Sequence, residues 1–174
     1  MTRVLVTVGS TGFDLLVQTV ISDAFLDALH AKGFTDMTIQ YGSSKFHVDG
    51  VNSDNFDYSS LHSCGIDIHL WKYKPSILAE MENADLVISH AGSGTVLEAL
   101  RMHKALIVVP NTTLLDNHQI EVARALEAQG HLKSSTVVDL VKSIVDFNPE
   151  KVNPFPPFDG TKFARLVDEE MGFV

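Results

Sequence analysis

The chain has 174 residues, 45% of them apolar, and a formal net charge of −9. That length suits one domain with a full hydrophobic core. The acidic balance argues against a nucleic-acid backbone or an anionic membrane surface as partner. The single cysteine, Cys64, excludes an intrachain disulfide and fits a reducing compartment. It lies in a polar stretch without an activating neighbour and reads as a bystander thiol.

The apolar run Val4–Val8 is too short for a signal-peptide core and ends at Gly9. No run approaches the roughly 20 apolar residues of a bilayer span, so a cytosolic protein is expected. Residues 3–9 read as a central parallel strand, buried on both faces. A helix is predicted over 12–32, with Thr11 and Asp14 spaced as a capping box and Gly33 as its stop. Residues 37–41 form a second strand. Residues 42–65, rich in Ser, Asn, Asp and Gly, read as a long loop with at most a short strand near 46–48. Residues 66–71 alternate as a third strand, and Pro75 suits the first turn of a short helix over 76–82.

Residues 85–89 read as a buried strand, followed by a glycine turn and a helix over 95–102. Residues 105–109 give another strand, ended by Pro110. A helix over 117–129 has Asp116 as N-cap and Gly130 as stop. Residues 137–147 contain a helix or a strand–helix pair. Residues 148–159 carry four prolines and read as an extended connector to an amphipathic helix over 161–171. The domain division is therefore 1–147 for a Rossmann-like domain and 148–174 for connector and terminal helix. Strands alternating with helices mean an α/β fold, a Rossmann-like parallel sheet with helices on both faces. Ligands of such sheets lie beyond the carboxyl ends of the strands. The turns after Val8, Leu70, Ser89 and Pro110 are thus expected on one rim.

Three rim stretches carry candidate chemistry. Gly9-Ser10-Thr11-Gly12 is a short hydroxyl-rich turn suited either to a diphosphate or to simple helix capping. It is not a dinucleotide fingerprint and lacks the lysine of a P-loop. Ser89-His90-Ala91-Gly92-Ser93-Gly94-Thr95 joins two glycines, three hydroxyls and an imidazole at a strand end, ahead of a helix N-terminus able to take an anion. Glu98 is placed to reach a sugar hydroxyl, yet Thr95 and Glu98 equally match a capping box. In the third stretch Asp116 and Gln119 fit a reciprocal cap, while Asn117, His118 and Gln119 offer the donors and acceptors a pyranose needs. The eight histidines show no metal-ligand spacing, so no metal site is expected.

Taken together, Val6–Asp14, Ser89–Glu98 and Asp116–Gln119 make the chain similar to the cytosolic catalytic subunits of the dolichol-pathway UDP-N-acetylglucosamine transferase, a glycosyltransferase family 28 C-terminal-like family. The pattern resembles, more loosely, the donor-binding half of the bacterial peptidoglycan N-acetylglucosaminyltransferase. The resemblance implies the donor-binding half of a GT-B glycosyltransferase, with a membrane-anchored partner supplying the acceptor half at the cytosolic face of the endoplasmic reticulum. It implies transfer of N-acetylglucosamine, with inversion, from UDP-N-acetylglucosamine to the lipid-linked acceptor N-acetylglucosaminyl-diphosphodolichol, without cofactor or essential metal. Carried over by position, Gly9, Ser10 and Thr11 lie near the diphosphate, and Gly92, Ser93, Gly94 and Thr95 at the phosphates. Glu98 takes the ribose, the backbone near Tyr73 and Lys74 takes uracil, and Asn117, His118 and Gln119, led by Asp116, take the sugar. His90 and His118 are the local candidates for the catalytic base, which the partner could equally supply. A sugar-nucleotide epimerase or hydrolase and a non-catalytic nucleotide-binding module are the alternatives.

Overall fold

Val4, Leu5 and Val6 are all buried although successive side chains point to opposite faces of a strand. The first strand is therefore covered on both sides, and the rest of the chain is wound around it. The structure, a computed structural model, describes residues 2–48, 51–53, 57–112, 118–157 and 159–173. In chain order the elements are β1 (Arg3–Thr7), α1 (Asp14–Val20), α2 (Asp23–Ala31), β2 (Asp36–Gln40), β3 (His47–Val48), β4 (Val51–Asn52), β5 (Tyr58–Ser63) and β6 (Ile66–Trp71). There follow α3 (Leu78–Asn83), β7 (Leu86–Ser89), α4 (Ser93–Arg101), β8 (Ala105–Val108), α5 (His118–Ala128), β9 (Lys133–Ser134), α6 (Leu140–Asp146), a 3₁₀ turn (Pro149–Lys151) and α7 (Thr161–Met171).

Seven strands form one sheet in the order β5-β6-β2-β1-β7-β8-β9, and β3 pairs with β4 in a separate hairpin. Every pairing in the large sheet is parallel except β5 with β6. Val4, Val6, Met37, Ile39, Ile68 and Ile88 pack on one face against Leu16, Val17 and Val20 of α1, Phe25, Leu26 and Leu29 of α2, and Leu140 and Ile144 of α6. On the other face Leu5, Val87, Leu106 and Val108 pack against Met81 of α3, Val96, Ala99 and Leu100 of α4, and Ala123 of α5. This is the expected Rossmann-like α/β arrangement. The strand order reverses between β1 and β7, so their carboxyl ends open the crevice where such sheets bind ligands. The turns after β1, β6, β7 and β8 share that edge, as the sequence predicts.

Three elements differ from the sequence expectation. The helix over 12–32 is two helices, because Ser22 is extended (φ −75°, ψ 147°). Its hydroxyl donates to the Thr19 carbonyl at 2.6 Å, and its own carbonyl accepts the first N–H bonds of α2. The loop over 42–65 contains β5, an edge strand that turns through Cys64 and Gly65 into β6. Both turn residues have positive φ, 50° and 78°, as a two-residue hairpin demands. In that turn the Ser63 hydroxyl pulls the Cys64 thiol pKa down, but desolvation and the Asp27 carboxylate outweigh it and leave the thiol raised. A raised thiol pKa leaves less nucleophilic thiolate. Finally, β9 precedes α6, so the region over 137–147 is a single helix with its strand lying further upstream.

The connector is anchored to the turn that follows α5. Asn153 donates from Nδ2 to the Gln129 carbonyl at 2.8 Å. Its backbone N–H reaches the Gly130 carbonyl at 2.8 Å. The Phe155 ring meets His131 edge-on at 5.3 Å. Beyond that point α7 carries an uncovered apolar stripe: Phe163, Leu166 and Met171 are 72%, 58% and 65% exposed. Phe158, between the connector and α7, lies outside the described residues.

Candidate sugar-nucleotide site

The first rim turn is built from beneath by the end of β2. Gln40, buried at 4% exposure, lies level with Thr7 in the parallel register. Its Oε1 accepts from the Thr7 hydroxyl at 2.6 Å and from the Gly9 N–H at 3.0 Å. Its Nε2 donates to the Gly9 carbonyl at 2.7 Å and to the Lys72 carbonyl at 3.1 Å. Gly9 sits at φ +71°, a conformation the turn requires and only glycine adopts freely. The following segment braces the turn: a Cβ on Gly42 would lie 2.5 Å from the Gly9 carbonyl and 2.9 Å from that of Thr11.

Thr11 does not cap α1. The N-cap is Phe13, and no side chain of its own caps that helix start. Instead the Phe13 N–H donates to Ser44 Oγ at 2.8 Å, and Asp14 Oδ1 accepts from the Lys45 N–H at 2.8 Å. The capping-box reading of Thr11 and Asp14 is corrected by these long-range bonds. Ser10 and Thr11 are left exposed at the rim.

The second turn resolves the choice the spacing left open. The N-cap of α4 is Gly92, which has no side chain to cap with, and the helix starts at Ser93. Thr95 therefore lies inside the first turn and Glu98 a full turn deeper, so they form no capping box. The first-turn N–H groups of Ser93, Gly94 and Thr95 are uncapped by side chains, and the first turn carries no acidic residue. This is an electropositive helix end at the switch point. Glu98 is exposed and among the described residues takes no hydrogen-bond or ion-pair partner.

His90 joins the two turns. A Cβ on Gly9 would stand 2.6 Å from its Cε1, and one on Gly92 would stand 2.6 Å from its Nε2. The ring is thus wedged between both glycines, with Nδ1 3.4 Å from the Thr7 carbonyl. Burial lowers its pKa, partly opposed by the hydrogen bond to the Thr7 carbonyl. Across the rim the Tyr73 hydroxyl donates to the Ser10 carbonyl at 3.2 Å, bringing the 73–74 segment against the first turn. The Lys74 ammonium is engaged by Glu80 and lies 4.8 Å over the Trp71 ring.

Of the third stretch, Asp116 and Asn117 lie outside the described residues, as does the side chain of His118. The Gln119 side chain accepts from the Asn111 N–H at 3.4 Å, and Asn111 Nδ2 reaches the Gly12 carbonyl at 3.4 Å. The start of α5 is therefore linked to the first turn through Asn111. Among the described residues no cluster of His, Cys, Asp or Glu could hold a metal ion. No described helix is long and apolar enough to cross a membrane.

Sequence reasoning missed Gln40, Gly42, Ser44 and Asn111. Gln40 and Asn111 each carry a visible signal, an amide at the carboxyl end of an apolar strand. Nothing in the order of residues marks Ser44 as a cap for Phe13.

A doubly wound sheet with glycine turns at its switch point is a Rossmann-like domain with a ligand crevice. Residues 3–170 match the glycosyltransferase family 28 C-terminal domain, and the chain belongs to that family. The UDP-N-acetylglucosamine transferase subunit ALG13 of Yarrowia lipolytica is 34% identical over 176 residues, covering 98% of this chain and 85% of that protein. The mouse subunit of the same name is 36% identical over 132 residues, but the chain spans only 10% of its length. The solution structure of ALG13 superimposes with a TM-score of 0.66 at 27% identity, covering 95% of this chain and 94% of that one. MurG of Acinetobacter baumannii shares the fold at a TM-score of 0.60 and 19% identity, covering 86% of this chain and 42% of that chain.

Proposed function

We propose that this glycosyltransferase subunit binds UDP-N-acetylglucosamine and supplies the donor half of a two-chain, inverting N-acetylglucosaminyltransferase. The acceptor is N-acetylglucosaminyl-diphosphodolichol, presented by a membrane-anchored subunit on the cytosolic face of the endoplasmic reticulum. The observation that carries the reading is the uncapped start of α4 beside the Gly9 turn. Ser93, Gly94 and Thr95 offer backbone N–H groups to a diphosphate whose charge grows as UDP leaves. Ser10 and Thr11 face the same space from the first turn, and Glu98 is free to accept from ribose hydroxyls. The backbone at Tyr73 and Lys74 takes the uracil, while Asn117, His118 and Gln119 take the sugar. These donors provide the charge stabilisation, so no cofactor or essential metal is required.

The acceptor hydroxyl needs a base. His90 is adjacent to the phosphate turns and its pKa is lowered by burial, but its ring is wedged between glycines, which suits positioning of the turns. His118 or a group of the partner then takes the proton. The exposed stripe of α7 is the contact through which the acceptor subunit holds residues 148–174. The relatives' name as transferase subunits supports an activity completed by another chain. The test is a transferase assay on the isolated chain, on acceptor-subunit membranes, and on the two combined. Activity is expected only in the mixture, and turnover of UDP-N-acetylglucosamine by the chain alone, with no acceptor, would overturn the reading.

A further inference from the structure

We infer that Gln40 is a positioning residue for the sugar-nucleotide donor, fixing the distance between the turn that meets the diphosphate and the segment that meets the base. The inference rests on the donor-site reading given above. A carboxamide has two donor hydrogens and an acceptor oxygen that takes two bonds. Gln40 commits all four: Thr7 Oγ1 and Gly9 N–H into Oε1, Gly9 and Lys72 carbonyls onto Nε2. Gly9 opens the first rim turn, and Lys72 immediately precedes Tyr73 and Lys74. One side chain thus joins β1, β2 and the exit of β6 at the rim.

An ordinary fold residue would not need this arrangement. The backbone of β1 and β2 is already paired without it, since Val8 N–H donates to the Gln40 carbonyl at 3.2 Å. What the side chain adds is beyond the ladder. It orients the Gly9 peptide, at positive φ, and holds it against the Lys72 peptide. The Tyr73 hydroxyl bond to the Ser10 carbonyl closes the same gap from above at 3.2 Å. A ligand spanning from Tyr73 to Ser10 would gain from having that gap set in advance. Glutamate keeps the acceptor arm but confronts the Gly9 and Lys72 carbonyls with a group that cannot donate. Methionine keeps the length and loses both arms.

The test uses the full chain, ¹⁵N-labelled, with UDP as probe, and the assembled complex for kinetics. Gln40→Met and Gln40→Glu are compared with the unaltered chain for melting point, amide shifts at Gly9 and Lys72, UDP affinity, and donor KM, acceptor KM and kcat. These bonds are intramolecular, so their loss acts on binding through the preorganisation of the gap, expected at about tenfold. UDP affinity and donor KM are therefore expected to weaken at least tenfold in both variants, with acceptor KM and kcat at saturating donor within about threefold. Inorganic pyrophosphate, which reaches the phosphate-facing turns but not the segment at Tyr73 and Lys74, should lose less affinity than UDP. A folded variant with shifted Gly9 and Lys72 amides but unchanged UDP affinity overturns the role of Gln40 alone. Equal losses for pyrophosphate and UDP overturn the spacing argument. Absence of UDP binding by the unaltered chain overturns the donor-site reading and this inference with it.

Discussion

The His90 ring occupies the space that a side chain on Gly9 would need, since a Cβ there would fall 2.6 Å from Cε1. Gly92 meets the same ring from the other turn, also at 2.6 Å. The two glycines and the imidazole are therefore one packing unit, and the closeness of the two rim turns depends on it.

Alanine at each glycine separates the two demands. Gly92 has φ −69°, which alanine adopts without strain, so Gly92→Ala suffers chiefly the clash with the ring. Gly9 adds a left-handed backbone, φ +71°, costing about 1–2 kcal/mol beyond the clash. In a His90→Ala background the Gly92→Ala penalty should largely vanish, whereas Gly9→Ala should retain that backbone cost. Urea unfolding of the three single and two double variants measures this. Equal residual penalties at both glycines in that background would contradict the wedge.

His90 also sets a pH dependence. Its folded pKa is lowered below the ordinary 6.5, mainly by burial, while the unfolded chain keeps the ordinary value. Below pH 6.5 the unfolded state binds the proton and the folded state does not, so this group makes stability fall as pH drops toward the folded pKa. The slope from one proton is at most about 1.4 kcal/mol per pH unit. Above pH 6.5 the contribution is flat. Unfolding free energies at pH 7.5, 6.5 and 5.5 should show the loss in the native chain and a shallower loss in His90→Asn. Parallel pH profiles for the two proteins would remove His90 as the cause.

Glu98 tests whether its spacing from Thr95 means a cap or a ligand contact. It is exposed, lies past the first turn, and takes no partner among the described residues. Glu98→Gln and Glu98→Ala should therefore change unfolding free energy by less than about 0.5 kcal/mol. Loss of charge-assisted bonds to two ribose hydroxyls should raise donor KM in the complex by about tenfold or more, with glutamine falling between alanine and glutamate. Loss of stability in Glu98→Ala, with donor KM unchanged, would return Glu98 to a helix-stabilising role.

The rim was legible because parallel strands announce themselves. Continuous apolar runs gave β1, β7 and β8, and alternation gave β6. Once these are parallel, their carboxyl ends must share an edge. Both proposed capping boxes failed for one reason: short-range spacing does not include groups that arrive from elsewhere. Ser44 is 31 residues from the Phe13 N–H it caps. At α4 the turn needed a residue without a side chain at Gly92, where His90 packs, and that moved the helix start upstream of Thr95. Strand β5 escaped notice because Tyr58-Ser-Ser-Leu-His-Ser is only weakly apolar. It is a strand because β6 offers an edge two residues away, across a turn of Cys64 and Gly65.

The terminal helix gives the sharpest separation of stability from assembly. The connector is fixed to the domain by Asn153 and Phe155, but Phe163 and Leu166 further on remain 72% and 58% exposed. Replacing either by Asp should leave the melting point of the isolated chain within about 1 °C, because no core contact is lost. An apolar anchor at the centre of an interface is worth about 2 kcal/mol or more, so capture of the acceptor subunit should weaken roughly thirtyfold. Transferase activity in a dilute mixture should fall in proportion and recover when the acceptor subunit is raised to saturation, since the donor site is untouched. Asn153→Ala provides the contrast. It removes the bond to the Gln129 carbonyl and should lower both the melting point and partner capture, because the arm then leaves the domain in no fixed direction. If Leu166→Asp and Phe163→Asp lower the melting point by several degrees and leave capture intact, α7 belongs to the fold of this chain and not to its interface.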